Sequence, residues 1–455
     1  MLNRFFLTLC SMGLLAVSVS GQASHLVLIS VDGLRPEFYR DASWPAPMMQ
    51  QLAAEGARAK GVRGIFPTVT YPSHTTLVTG ALPARHGIVY NSPFEPGVPT
   101  GRGYWEEEMI LVPTLWDAVK ASGGTIAAIS WPVTVGAPID YNIPELWSIE
   151  DSTDTVTMMR QAATPPGLME EIEREATGRL TADNFTIHHM TRDDRAGAAG
   201  AYLFEHYRPT LLAVHLFETD HFQHEEGRHG PRVRRAVAAA DRAISQIYEA
   251  VERSGLLEQT AFVITGDHGF IDVHTSFNPN ILLVEAGLRT AARDRGDWRA
   301  TFQCSGAAGF LHLRDSFDRQ AANLVRQILT ELPAKHRKLF RVVERDELDA
   351  LGASPAAILA LAPVAGVKCG SAARGAILRP GRGGSHGYHP ELSQMNTGFI
   401  AWGNGVRPGA RLPLLSIEDI AAIIARLLAL DFEAPDGVAA EGVLQPAATP
   451  GRMRP

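Results

Sequence analysis

The chain has 455 residues, of which 45% are apolar and 20% are charged, and it contains no long low-complexity tract. This composition excludes a disordered or fibrous protein and is sufficient for a large packed core. The net charge of −7 argues against a surface that coats nucleic acid. An anionic substrate would therefore have to be attracted by a local feature, such as a metal ion.

The first 23 residues are typical of an export signal. A basic residue precedes the apolar run of residues 5–19, and small residues end at Ala23, after which we expect cleavage. The run is shorter than the ~20 residues that span a bilayer, and no other stretch reaches that length. We therefore expect a periplasmic or secreted protein without a transmembrane span in the mature chain; an uncleaved anchor is the alternative. Cys304 and Cys369 lie outside the signal, which allows one disulfide.

From residue 25 onward, short apolar runs alternate with helical patterns, and this order predicts a layered α/β sheet. Unbroken apolar runs are typical of strands that are buried on both faces. The runs are HLVLISV (25–31), TIAAISW (125–131), TLLAVHLF (210–217), TAFVITG (260–266), GFLHL (309–313) and TGFIAWG (397–403). The helical patterns lie at 48–57, 114–123, 233–255 and 417–430.

Two stretches interrupt this alternation. Residues 133–195 are polar and poor in strand signal, and residues 287–385 mix short helices with a Gly-rich loop. We interpret both stretches as insertions in a single domain that extends from residue 24 to residue 455.

Metal-ligating side chains follow several of the predicted strands. Because the carboxyl ends of parallel strands meet at one edge of a sheet, we expect these side chains to lie close together. They are Asp32 after the run at 25–31, Asp220 and His224 after 210–217, Asp267 and His268 after 260–266, and His386 and His389 ahead of 397–403.

Carboxylate oxygens and imidazole nitrogens are ligands that zinc and similar divalent ions accept. No cysteine belongs to the set, which excludes a thiolate site. The ligands suffice for two ions that share a carboxylate, the arrangement that clamps the attacking and departing oxygens in phosphoryl transfer. Taken singly, an aspartate at a strand end is more often a helix cap, so the convergence of several residues on one edge carries the metal hypothesis.

Residues 66–80 supply several hydroxyl groups just before a helix-like stretch. A hydroxyl at a helix N-terminus meets free backbone N–H groups and the positive end of the dipole, which suits an anion or a nascent alkoxide. A neighbouring zinc ion would lower the pKa of such a hydroxyl and make it a nucleophile. For Thr68, Ser73, Thr75 and Thr76 we prefer the simpler interpretation, which is helix capping.

Five segments, in this order, resemble the nucleotide pyrophosphatase/phosphodiesterase family of the alkaline phosphatase superfamily: HLVLISVDGLRPEF, FPTVTYPSHTTLVTGALPARHGIVYN, ETDHFQH, VITGDHGF and SHGYHP. The resemblance covers residues of about 25–130, 210–275 and 385–410. It implies an alkaline-phosphatase-like catalytic domain, with a central mixed and mostly parallel sheet flanked by helices and with inserted cap segments. It also implies two Zn²⁺ ions and hydrolysis of phosphodiester or phosphoanhydride bonds in a nucleotide or another small molecule, through a phosphothreonine.

The resemblance also implies roles for individual residues, of which the nucleophile is Thr70 and not its neighbour Thr68. Asn91 would donate a hydrogen bond to a phosphate oxygen. One zinc ion would be held by Asp32, Thr70, Asp267 and His268, and the other by Asp220, His224 and His386.

Three departures from the family pattern bear on these roles. His389 stands where the family usually has aspartate, so it is the alternative to His386 as a ligand. His215 occupies a position where many relatives have a tyrosine that helps to hold the nucleobase. Tyr71 can still offer an aromatic face to a base or leaving group, or can simply pack in the core. Nucleotide specificity is therefore a weaker expectation than phosphodiester chemistry.

Two other functions remain open at this stage. A phosphonate hydrolase, or a phospholipid-headgroup phosphodiesterase or phosphatase of the same superfamily, would use the same site on another substrate. The non-enzyme alternative is an exported metal-binding protein without turnover. The sequence leaves the oligomeric state and the identity of the metal open.

Overall fold

The computed structural model describes residues 22–95, 101–146, 154–186, 188–291 and 297–446. The predicted leader, residues 1–23, lies outside the described residues except for its last two. Ala23, the expected last residue of the leader, is buried, and its N–H donates to the Leu427 carbonyl at 2.9 Å. Within the described ranges, none of the helices combines the length and apolar character needed to cross a membrane.

The strands of the described residues are labelled β1 to β17 in chain order. They are β1 (His25–Val31), β2 (Ala57–Arg63), β3 (Ile126–Ile129), β4 (Tyr141–Ile143), β5 (Leu211–Leu216), β6 (Thr260–Thr265), β7 (Ile271–Asp272), β8 (Thr275–Phe277), β9 (Ala300–Ser305), β10 (Ala308–Leu313), β11 (Phe340–Glu344), β12 (Leu359–Pro363), β13 (Val367–Cys369), β14 (Leu378–Pro380), β15 (Gly384–Ser385), β16 (Phe399–Gly403) and β17 (Arg411–Ser416).

The α-helices are labelled in the same way, and short 3₁₀ or π turns are left without labels. They are α1 (Glu37–Arg40), α2 (Pro47–Glu55), α3 (Thr70–Thr79), α4 (Pro83–His86), α5 (Leu115–Ala121), α6 (Thr155–Ala162), α7 (Leu168–Ile172), α8 (Arg192–Tyr207), α9 (Glu218–Glu226), α10 (Pro231–Arg253), α11 (Pro279–Glu285), α12 (Arg319–Glu331), α13 (Ala334–Arg337), α14 (Arg345–Ala350) and α15 (Asp419–Leu427).

A mostly parallel eight-stranded sheet forms the centre of the molecule, with the strand order β17-β2-β16-β6-β1-β5-β3-β4. Strand β16 is antiparallel to both of its neighbours, and the other neighbouring strands are parallel. Alternate residues of β1 enter two different apolar cores, with Val27 and Ile29 in one and Leu26 and Leu28 in the other. The predicted α/β sheet, flanked by helices on both faces, is therefore the fold of the protein.

The two predicted insertions contain regular structure of their own. Residues 133–195 supply the edge strand β4 and the first turn of α8, and residues 287–385 contain β9 to β15. The run at 309–313, which falls within the second stretch, forms β10 of a separate antiparallel sheet with the order β11-β12-β10-β9. Its apolar residues are buried there, since α12 and neighbouring loops cover this small sheet.

The carboxyl ends of β1, β3, β4, β5 and β6 point to one edge of the central sheet, because these strands are parallel and adjacent. Residues that follow these strands therefore converge. The two cysteines lie away from this sheet, on β9 and β13, and both are free thiols.

Candidate active site

Thr70 is the first residue of α3, so its hydroxyl lies at the positive end of that helix. The residue is 8% exposed, and its Oγ1 lies 3.5 Å from Nε2 of His268. The capping role expected for neighbouring hydroxyls is wrong, because Val69 precedes the helix without a side-chain cap. Thr68 instead donates to the Tyr388 carbonyl at 3.0 Å, and Thr75 donates to the Tyr71 carbonyl at 2.9 Å.

Three carboxylates reach the same edge of the sheet from three adjacent strands. Asp32 follows β1, Asp267 follows β6, and Asp220 lies in the first turn of α9 after β5. Nε2 of His268 is 3.4 Å from Asp32 Oδ1, 3.2 Å from Asp267 Oδ2 and 4.0 Å from Asp220 Oδ1. One imidazole thus faces all three carboxylates.

The ring nitrogens of three histidines are oriented by backbone carbonyls. Nδ1 of His224 faces the Gly384 carbonyl at 3.0 Å, Nδ1 of His268 faces that of Gly269 at 3.2 Å, and Nδ1 of His386 faces that of Thr68 at 3.0 Å. Because a carbonyl can only accept, Nδ1 donates in each case, and the lone pair of Nε2 is directed to the carboxylates. Nε2 of His224 and of His386 lie 3.5 Å and 3.6 Å from Asp220 oxygens.

The side chains form two overlapping groups in which the ligand atoms lie within 4.8 Å of one another. One group is Asp220, His224 and His386, and the other is Asp32, Asp220 and His268. Asp220 belongs to both groups, so the two groups are adjacent. Asp267 belongs to neither group, but its Oδ2 lies 3.2 Å from Nε2 of His268, so the structure brings the six predicted carboxylate and imidazole ligands close together, with Thr70 beside them.

The residues fit divalent cations on two further observations. Asp32 Oδ1, Asp220 Oδ1 and Asp267 Oδ2 are buried and accept no hydrogen bond, which is costly unless a cation satisfies them. The donor set is oxygen and neutral imidazole nitrogen, which suits zinc and similar ions.

Burial of these groups shifts their pKa values away from the charged forms. Desolvation raises the pKa of Asp220 to about 7 and that of Asp267 to about 6. The pKa of Asp32 is raised well above its usual value by desolvation and then by the neighbouring carboxylates of Asp267 and Asp220. Desolvation lowers the pKa of His224 to about 4 and that of His268 and His386 well below the usual value. The histidines are therefore neutral ligands at pH 7, whereas the carboxylates need a positive charge nearby to ionise fully.

Asn91 lies beside the start of α3. Its Oδ1 accepts a hydrogen bond from the Tyr71 N–H at 3.0 Å. This contact assigns the amide oxygen to the backbone and leaves the amide nitrogen as a donor next to Thr70. The position is compatible with donation to a substrate oxygen.

Three other side chains that the sequence indicated lie outside the two ligand groups. His389, the alternative ligand, directs its ring nitrogens to Glu347 at 3.3 Å and Glu391 at 3.5 Å, away from the carboxylate cluster. His215, at the position where many relatives have a tyrosine that helps to hold the nucleobase, is fully buried beneath Asp32. Tyr71 is 2% exposed and packs among the side chains of Ile88, Tyr104 and Val133.

The positions of His215 and Tyr71 do not agree with a nucleobase slot built from these two rings. A slot needs an exposed aromatic face, and both rings are covered by packing.

Two buried residues near the cluster were missed in the sequence. Glu145 Oε2 lies 3.4 Å from His215 Nδ1, and His74 Nδ1 lies 3.8 Å from Asp267 Oδ2. Glu145 follows β4 by two residues, so the rule that located the other carboxylates applies to it, but the three-residue strand was not recognised. His74 lies one helical turn after Thr70 and contacts its carbonyl at 2.9 Å.

Comparison with known proteins shows the family and agrees with this fold. Residues 26–388 match the family model of type I phosphodiesterase / nucleotide pyrophosphatase. Because the match covers most of the chain, the protein belongs to the type I phosphodiesterase / nucleotide pyrophosphatase family.

Similar sequences include ectonucleotide pyrophosphatase/phosphodiesterase family member 7 of Rattus norvegicus, 24% identical over 56% of this chain and 52% of that protein. Family member 1 of Homo sapiens is 21% identical over 84% of this chain and 37% of that protein. The chain thus spans about half or less of the length of these curated relatives. Among solved structures, human ectonucleotide pyrophosphatase/phosphodiesterase 5 superposes with a TM-score of 0.64 at 18% identity, covering 90% of this chain and 96% of that chain.

Proposed function

We propose that the protein is a zinc-dependent phosphodiesterase that hydrolyses phosphodiester or phosphoanhydride bonds through a phosphothreonine at Thr70. The observation that carries the proposal is the position of the Thr70 hydroxyl, 3.5 Å from His268 at the edge of the carboxylate and imidazole cluster. A hydroxyl next to so many cation ligands, at the positive end of a helix, is suited to act as a nucleophile.

The proposed metal ligands are Asp32, Thr70, Asp267 and His268 for one zinc ion and Asp220, His224 and His386 for the other. When bound there, zinc would lower the pKa of the Thr70 hydroxyl and offset the negative charge of the phosphate. Two comparisons support this proposal. Residues 26–388 match the family model, and a solved structure of murine ectonucleotide pyrophosphatase/phosphodiesterase 5 is of an inactive threonine-to-alanine variant in complex with AMP.

Thr70 Oγ1 attacks phosphorus in line with the departing oxygen and loses its proton as the new bond forms. The bond between phosphorus and the departing oxygen breaks, the departing oxygen gains a proton in place of the one that Thr70 lost, and a phosphothreonine results. Water then attacks phosphorus, and the Thr70 oxygen departs and regains a proton. Asn91 donates from its amide nitrogen to a phosphoryl oxygen whose charge grows in the transition state.

We rank diesters above monoesters as substrates. In the described part of the chain, the ion-pair partners of Asp32, Asp220 and Asp267 are all histidines, and the charge of Lys368 acts on His224 and His386 without pairing with a carboxylate of the cluster. A phosphodiester carries one negative charge and needs less compensation than a dianionic monoester.

A second candidate keeps the site and changes the substrate to a phosphonate or a phospholipid headgroup. The burial of Tyr71 and His215 favours it, because neither ring is exposed to stack on a nucleobase. Turnover of a panel of dinucleotides, nucleoside triphosphates, glycerophosphodiesters and phosphonates distinguishes nucleotides from these other substrates.

The test is turnover of bis-p-nitrophenyl phosphate and of p-nitrophenyl phosphate by protein reconstituted with zinc. We expect faster turnover of the diester, loss of turnover in Thr70→Ala, and retention of most activity in Thr68→Ala, whose hydroxyl faces the Tyr388 carbonyl instead. A preference for the monoester would overturn the ranking. Full activity of Thr70→Ala would remove the assigned nucleophile, and no turnover by the zinc-loaded protein would favour the metal-binding protein without activity.

A further inference from the structure

A fully buried histidine lies between two carboxylates beneath the candidate metal ligands. His215, on β5, has its Nε2 3.2 Å from Asp32 Oδ2 and its Nδ1 3.4 Å from Glu145 Oε2. Asp32 directly follows the neighbouring strand β1, in which Ser30 pairs with His215. Glu145 follows β4, at the end of the same sheet. The three side chains thus form a row that runs under the site.

The His215 ring has a fixed orientation within this row. The ring of His74 packs 4.0 Å away and that of Phe217 3.9 Å away, measured between ring centroids. Both flanking residues are buried, and Glu145 is 6% exposed. The imidazole therefore has little freedom to turn away from either carboxylate.

We propose that His215, anchored by Glu145, is a positioning residue for the metal ligand Asp32; this inference rests on the proposed function. The Nε2 side of the ring binds Asp32 Oδ2 and so turns the other oxygen, Oδ1, to the cluster. Oδ1 lies 3.4 Å from His268 Nε2 and accepts no hydrogen bond from the protein. Outer hydrogen-bond partners that orient a ligating carboxylate in this way raise metal affinity.

The row also explains what the segment 133–195 contributes to the site. Through Glu145 it places a carboxylate oxygen 3.4 Å from the far nitrogen of His215, a close contact that is not a hydrogen bond, although none of its residues joins either ligand group within the described ranges. A tyrosine at position 215, as the resemblance leads one to expect, has a single polar atom and could not contact two carboxylates on opposite sides of one ring.

The test uses two variants of His215 whose side-chain amides place a hydrogen-bond donor at different ring nitrogens of the original histidine. In His215→Gln the amide can reach the place of Nε2, and in His215→Asn it can reach only the place of Nδ1. Both variants bury a neutral amide, so each controls for the general cost of the other. The readout is zinc binding, measured by competition with a chromogenic chelator, together with metal stoichiometry and kcat and KM for bis-p-nitrophenyl phosphate.

We expect His215→Asn to weaken the binding of one of the two zinc ions by about 10- to 100-fold, the usual effect of losing such a partner, and His215→Gln to restore most of the affinity. The other ion should bind as in the parent. Equal zinc affinity in the parent and in folded His215→Asn would overturn the inference while leaving the proposed function intact. A parent that binds no zinc would overturn both.

Glu145→Gln keeps the test decisive if His215→Asn does not fold. This variant replaces the Glu145 carboxylate that faces His215 Nδ1 by a neutral amide and leaves the His215 ring in place. We therefore expect a smaller loss of zinc affinity at the same ion than in His215→Asn, with a melting temperature close to that of the parent. Parent-like binding of both ions by Glu145→Gln would contradict the anchoring role.

Discussion

Gly383 approaches the backbone of a proposed metal ligand so closely that it cannot carry a side chain. It has a φ of +65°, and a Cβ built there would lie 1.8 Å from the carbonyl oxygen of His224. Real Cβ atoms do not come within 3.0 Å of a heavy atom, so Gly383→Ala must displace one of the two segments by about 1.2 Å, the difference between these distances. One segment carries His224 and the other leads to His386.

His224 and His386 both belong to the Asp220–His224–His386 group, so a shift of either segment changes that group. A misplacement of about 1 Å in a catalytic arrangement can cost about 100-fold in rate. We therefore expect Gly383→Ala to lower kcat/KM for bis-p-nitrophenyl phosphate by about two orders of magnitude and to weaken zinc binding at the Asp220–His224–His386 group. The assays are steady-state turnover with excess zinc and zinc titration against a chelator.

Gly409→Ala is the matched control. Gly409 also has a φ of +65°, but nothing lies within 4 Å of the place of its Cβ. Both variants carry the same left-handed strain, about 1–2 kcal/mol, and only Gly383→Ala adds the clash. If the two variants lose activity and zinc affinity to the same extent, or if Gly383→Ala keeps parent activity, the proposed placement of His224 and His386 is refuted.

Three further predictions concern single groups of the site. Thr70→Ser, which retains a hydroxyl, should keep measurable turnover and form a phosphoserine that rapid acid quench can trap. The absence of a phosphoryl group on residue 70 after the quench would contradict the covalent step. Asn91→Ala should lower kcat by about 100-fold or more with zinc affinity unchanged, since it removes one transition-state donor; an effect confined to KM would oppose this role. Zinc should raise the melting temperature more at pH 7.5 than at pH 5.5. Desolvation raises the pKa of Asp220 to about 7, so the folded, metal-free protein holds this proton more tightly than the unfolded chain does. Protonation of Asp220 therefore stabilises the metal-free fold fully below about pH 4, and this stabilisation is lost as the pH rises to about 7. Above that pH the carboxylate is ionised and is free to bind zinc. A zinc-induced shift that is larger at pH 5.5 would contradict the assignment.

The central strands could be predicted because they are long apolar runs. The runs at 25–31 and 260–266 match β1 and β6 within one residue. Strand β2 was missed because ARAKGVR mixes charged and small residues, and its burial comes from neighbouring strands that are distant in sequence. The run at 309–313 was recognised as a strand, but a run of five residues holds no information on which sheet it joins.

The candidate ligands could be predicted because each follows a strand or belongs to a recognised segment, and the structure brings Asp32, Asp220 and His268 together. The burial of Tyr71 and His215 could not be predicted from the sequence. It depends on packing against residues far along the chain, such as Tyr104 for Tyr71 and Glu145 for His215. Side-chain exposure is a tertiary property, and a local motif does not determine it.

The most direct test of the central claim is an anomalous-difference map from crystals of the zinc-loaded protein, collected on both sides of the zinc absorption edge. We expect two peaks at the carboxyl edge of the central sheet, one among Asp32, Asp267 and His268 next to Thr70, and one among Asp220, His224 and His386. A map without peaks at that edge, or with zinc bound elsewhere while these side chains keep their positions, would contradict it.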